Sequence, residues 1–162
     1  MKKVAKELEK VIELFRIEYL DLDESFAEVR IAEDKWTLKE IIGHLIDSAS
    51  NNHQRFIRLK LSNEIEFPDY KSGEWLQIQN HNDMKFSDLL LLFFYYNKLM
   101  VNVILNIGEE SLDHKWSIAW DENSTFITLE RLANHYVDHI KKHMVHFKER
   151  LAEVENMKGS SK

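Results

Sequence analysis

The chain has 162 residues, 44% hydrophobic and 31% charged, enough for one domain with a packed core. Four glycines and one proline are too few for the turns of an all-β fold and favour long helices. With no cysteine, a disulfide scaffold, a thiolate metal site and a cysteine nucleophile are excluded, and a net charge of −6 argues against nucleic acid as a partner.

The first predicted helix covers residues 2–20, where Val4, Leu8, Val11, Phe15 and Tyr19 recur every three to four residues. This segment is charged throughout and lacks the apolar run of a signal peptide. The longest apolar run, residues 89–96, is too short to span a bilayer. The expectation is therefore a cytoplasmic protein with no membrane partner. The second helix begins after Trp36 with Thr37 and Glu40 as a capping box, and Leu38, Ile41, Leu45, Phe56 and Leu59 carry it to about Leu61. A connection of roughly 20 residues follows, with Pro68, Gly73 and Trp75, and loops of that length are often functional. The third helix, residues 87–105, is apolar on most sides and should be well buried.

Residues 107–125 form a second irregular connection containing Trp116 and Trp120. The fourth helix, residues 128–155, carries the core stripe Leu132, Tyr136, Ile140, Met144, Phe147 and Leu151. The expected class is all-α: a four-helix bundle with long connections between the second and third and between the third and fourth helices, which permit a crossed topology. Residues 1–156 form one domain, and residues 157–162 read as a disordered polar tail.

His135, His139, His143 and His146 crowd the last helix, and His44 lies on the second. His139 and His143, four residues apart, place two imidazoles one turn apart on one face, the way a helix offers two ligands to one ion. His44 could add a third from a facing helix, leaving a position open for water or substrate. On spacing alone, surface or hydrogen-bonded histidines explain the pattern as readily, and that is the reading for His53, His81 and His114. His44, Ser48, Asn51 and Arg55 form a polar line on an otherwise apolar helix, and burying it unpartnered would be costly. The four tryptophans, with Tyr95 and Tyr96, read as packing residues.

The segment WTLKEIIGHLIDS (residues 36–48), its continuation through Asn51, Arg55 and Phe56, and the block HIKKHMVHF (residues 139–147) resemble the DinB/YfiT-like superfamily over nearly the whole chain. The resemblance implies a four-helix bundle holding one divalent metal ion per chain, zinc or nickel, on His44, His139 and His143. His146 matches a polar position lining or supporting the site, and His135 has no counterpart as a ligand. The branch is linked to metal-dependent hydrolases and to transferases of low-molecular-weight thiols such as bacillithiol, and its members are often homodimers. Two reactions follow: activation of water for hydrolysis, or of an external thiol for S-transfer. Asn51 and Arg55 are expected to orient a small-molecule substrate, a solvated face or a salt bridge being the equal alternative on spacing alone; Asp47 and Ser48 are placed to support the ligands, Asp47 by hydrogen bonding an imidazole or else serving as a surface or local structural charge. The alternative is a non-catalytic metal- or ligand-binding stress-response bundle.

Overall fold

α1 (Lys2–Tyr19) buries Ala5, Leu8, Ile12, Phe15 and Tyr19. Val4 and Val11, expected on its stripe, are only half-buried, because the helix lies in the groove between two neighbours and its buried face is centred a little to one side. α3 (Leu38–Leu61) starts at the capping box: Thr37 Oγ1 accepts from the Glu40 amide at 3.1 Å, and Glu40 Oε2 accepts from the Thr37 amide at 2.9 Å. α5 (Phe86–Leu105) is apolar and long enough that length and composition alone would let it cross a membrane. In the fold it packs between α1 and α3. α6 (Leu129–Gly159) is capped by Thr128 and buries Leu132, Tyr136, Ile140, Met144 and Phe147, with Leu151 half-buried. It continues past Glu155 into residues expected in the polar tail. This computed structural model describes residues 1–117 and 125–160, so Trp120 and the last two residues lie outside the described residues.

The helices are not arranged in chain order. α1 packs on α5 and α6, and α3 packs on the same two, so the order around the bundle is α1, α5, α3, α6. Helices consecutive among the four long ones, α1 and α3, sit diagonally, and so do α5 and α6. The long connections make this crossing possible, and they are not wholly irregular. The chain between α1 and α3 holds a one-turn helix, α2 (Glu24–Ala27), and the next connection holds α4 (Ser72–Gln79). Three two-residue strands, β1 (Glu64–Ile65), β2 (Lys115–Trp116) and β3 (Ile127–Thr128), tie the two long connections together. β1 pairs with β2 in parallel and β2 with β3 antiparallel. Trp116, expected in an irregular connection, is thus in the central strand. It is fully buried, and its Nε1 donates to the Phe67 carbonyl at 2.8 Å.

At one level of the core, Phe15, Tyr19, Phe93, Phe86 and Phe147 pack edge-to-face and stacked. Nearer the start of α6 the core contains a polar pair. Tyr136 Oη donates to Asn97 Oδ1 at 2.6 Å, and Asn97 Nδ2 donates to the Phe93 carbonyl at 2.9 Å, with both residues buried. Removing the hydroxyl would leave a buried acceptor without its donor, a loss of about 1–3 kcal/mol. Tyr136→Phe is therefore expected to lower unfolding stability by that amount in urea denaturation with the fold intact; a neutral result would show that the pair is dispensable.

Candidate metal centre

The α3–α6 contact is the face on which the histidines meet. His44 is 7% exposed, while His139 and His143 are half-buried at the edge of the α6 core stripe. His44 Nε2 and His139 Nε2 lie 3.2 Å apart, and one nitrogen from each of the three rings lies within 4.8 Å of the others. Two nitrogens bound to one tetrahedral zinc ion, each at about 2.0–2.1 Å, would be roughly 3.3–3.4 Å apart. The convergence of these rings thus fits a shared ion. Among the described residues, His44 Nδ1 and His143 Nδ1 are buried and have no hydrogen-bond partner. His139 is held differently, with its Nδ1 3.4 Å from Ser48 Oγ, which leaves Nε2 turned toward His44.

The electrostatics favour the neutral, ligating form. Burial pushes His44 down to about 4, with the nearby charges of His143 and His146 acting in the same direction. Burial likewise takes His139 to about 3 and His143 to about 4, again aided by neighbouring cations. Trp36 borders this cluster from outside: its ring centroid is 5.2 Å from that of His44 and 6.3 Å from those of His143 and His146. His146 is thus next to His143, at 6.0 Å between centroids, but outside the group of three.

On the other side of His44 and His139 is a cavity of about 220 Å³ lined by Ser48, Asn52, Arg55, Asp69, Tyr70, Ser72, His135 and Tyr136 as well as the two histidines. Of the polar line expected on α3, Ser48 and Arg55 face this cavity. Asn51 does not: its amide donates to the Asp47 carbonyl at 2.9 Å, and Asn52, one residue on, lines the wall instead. Asp47 also departs from expectation. Three residues advance a helix by about 300°, which turns Asp47 about 60° away from His44, on the side opposite Ser48. There its Oδ1 accepts from Gln79 Nε2 of α4 at 2.7 Å, instead of holding a ligand imidazole. Burial raises its pKa, while Gln79 and His81 oppose the shift. His81, read as surface or hydrogen-bonded, is buried, its Nδ1 without a hydrogen-bond partner among the described residues, close against Gly43 where a Cβ would come within 2.3 Å of it.

Asn52, Asp69, Tyr70 and Trp36 were not singled out as site residues by periodicity. Asp69 and Tyr70 belong to the long connection, whose length was the one available signal. The Tyr70 ring is 6.5 Å from that of His44, and its hydroxyl is pushed up to about 12, chiefly by burial.

No family model matches the chain, and no curated protein matches it. Among solved structures it is similar to YfiT from Bacillus subtilis, described as a probable metal-dependent hydrolase with an unusual four-helix bundle topology. The two share 19% identity over 94% of this chain and 86% of that one, with a TM-score of 0.80. At that identity the likeness is one of fold: this chain shares the four-helix bundle topology of YfiT.

The depressed histidine pKa values carry a stability consequence. Between about 6.5, the ordinary value, and about 4, the folded metal-free protein binds fewer protons at this cluster than the unfolded chain does. Stability from the cluster is complete above pH 6.5 and is lost as pH falls toward 4. Melting temperatures of chelator-treated protein are expected to fall through that window, and to fall less steeply in His139→Gln. Identical slopes in the two proteins would contradict the assignment.

Proposed function

We propose that this chain is a metal-dependent enzyme in which His44, His139 and His143 hold one divalent ion, zinc or nickel, leaving a position open toward the cavity. The observation carrying the reading is the convergence of three neutral imidazoles, two with nitrogens 3.2 Å apart, beside a cavity with polar walls. The shared fold with YfiT, described as a probable metal-dependent hydrolase, supports it. When bound, such an ion supplies Lewis acidity, enough to acidify water or a thiol and to polarise a carbonyl.

The surrounding residues have separable tasks. Ser48 orients His139 through Nδ1. Trp36 packs against the rings of His44 and His143, while the cavity borders His44 and His139. Tyr70 remains protonated at neutral pH and can donate a hydrogen bond to negative charge developing near His44.

Hydrolysis and thiol transfer place different demands on this wall. Hydrolysis gains from a general base, and among the described residues lining the cavity the one carboxylate, Asp69, is engaged by Arg55. Asp69 is also placed at the Arg55 end of the cavity, three turns along α3 from His44, which favours the second reading, transfer of an external low-molecular-weight thiol, a reaction that needs less proton machinery.

The experiment is a panel of small esters, amides and thiol-conjugation electrophiles, run on zinc- and nickel-loaded protein, chelator-treated protein and His143→Ala. Turnover that is lost on chelation, restored by metal and missing in the variant is the expected result. A metal-loaded protein inert to the whole panel would favour a non-catalytic metal-binding bundle. Ser48→Ala is expected to weaken metal affinity about tenfold while leaving the fold unchanged; unchanged affinity would remove Ser48 from the site.

A further inference from the structure

Arg55 lies at the end of the cavity away from the histidines, three turns along α3 from His44. It is 4% exposed, and its guanidinium carbon is 3.7 Å from the centroid of the Trp116 ring. Trp116 is in turn fixed by strand pairing and by its bond to the Phe67 carbonyl. This cation is therefore rigidly mounted, and burial lowers its pKa against the opposing influence of Asp69. A guanidinium presents five donors in a planar fork suited to two-point contact with a carboxylate. Here Arg55 Nε is buried with no hydrogen-bond partner among the described residues, and one arm, Nη2, donates to Asp69 Oδ1 at 2.8 Å.

The two halves of this ion pair are unlike. The arginine side chain is 5% exposed, whereas that of Asp69 is 59% exposed on the connection between β1 and α4. The same Asp69 oxygen also accepts from the Tyr70 amide at 2.9 Å, so it is shared. A buried cation with an unused donor thus has as its partner a solvent-facing carboxylate on a loop. Asp69 is readily rehydrated when it leaves, whereas Arg55 stays buried and needs another anion in its place.

We infer that Arg55 is the seat for a carboxylate on the substrate, and that Asp69 is its internal placeholder, displaced when a carboxylate-bearing small molecule enters. The cavity that joins Arg55 to His44 and His139 then sets the substrate's orientation: carboxylate at the Trp116 end, reacting group at the histidine end. The inference rests on the proposed function only in taking the histidine end as the reacting end. While the placeholder is in the seat, the apparent affinity for an external carboxylate is reduced by the fraction of molecules whose seat is free.

The test uses glutarate and its neutral diamide, glutaramide, as probes in calorimetric titrations at low salt. Chelator-treated full-length protein is used, so that no metal can hold the carboxylate and the outcome is independent of the histidine site. Asp69→Asn keeps the side chain's size and removes its charge, and it is expected to bind glutarate about five- to tenfold more tightly than wild type. Binding detected in Asp69→Asn alone is the same result in stronger form. Glutaramide should bind neither protein, and Arg55→Gln should not bind glutarate. Glutarate affinity that is unchanged or weaker in Asp69→Asn, absent from both proteins, or matched by glutaramide would overturn the inference. The comparison of Asp69→Asn with wild type decides even if Arg55→Gln fails to fold, because Asp69 is exposed.

Discussion

Three imidazoles face one another across the α3–α6 contact, and much of the surrounding structure is arranged around the consequence. An imidazole cluster with little water has no good charged state, because every proton added is both desolvated and next to another ring. Neutral rings carry lone pairs that need a donor or a Lewis acid. With His139 Nδ1–H donating to Ser48 Oγ, its lone pair lies on Nε2, 3.2 Å from His44 Nε2. A divalent cation satisfies all three rings at once without adding a proton. On this account the cluster is held in a poised, costly arrangement in the metal-free protein and becomes a source of stability when loaded.

The crossed order of the bundle is what creates the cluster. In a bundle that folds back on itself in sequence, the second long helix would neighbour the first and third. Here α3 lies between α5 and α6, so His44 meets the last helix, which supplies His139 and His143 one turn apart. The crossing demands long connections, and the structure uses them. The three short strands bind the two connections to each other, seat Trp116 beneath Arg55, and bring Asp69 and Tyr70 to the cavity wall. Topology, cavity and candidate chemistry thus depend on the same segments.

The four long helices were legible in the sequence because each carries an apolar period, and α3 also carries a capping box whose two hydrogen bonds form as read. The short elements were not. β1 and β2 are two residues each and pair Ile65 with Trp116, a contact between distant parts of the chain that no local pattern encodes. Within the site, the spacing of His139 and His143 was visible, whereas the direction of neighbouring side chains was not. Asp47 and Asn51 are close to His44 in sequence, yet one turns to Gln79 and the other bonds its own helix backbone. Asn52 and Asp69 could be placed on the wall only once the position of the cavity beside α3 was known.

The central claim is that the three histidines share one ion, and metal stoichiometry tests it most directly. Untagged protein would be stripped with chelator, titrated with zinc or nickel, and weighed intact under native conditions beside His44→Ala. The account predicts one ion per wild-type chain and none in the variant at the same metal concentration. A folded wild-type protein that takes up neither metal, or a His44→Ala variant that binds as tightly as wild type, would contradict it.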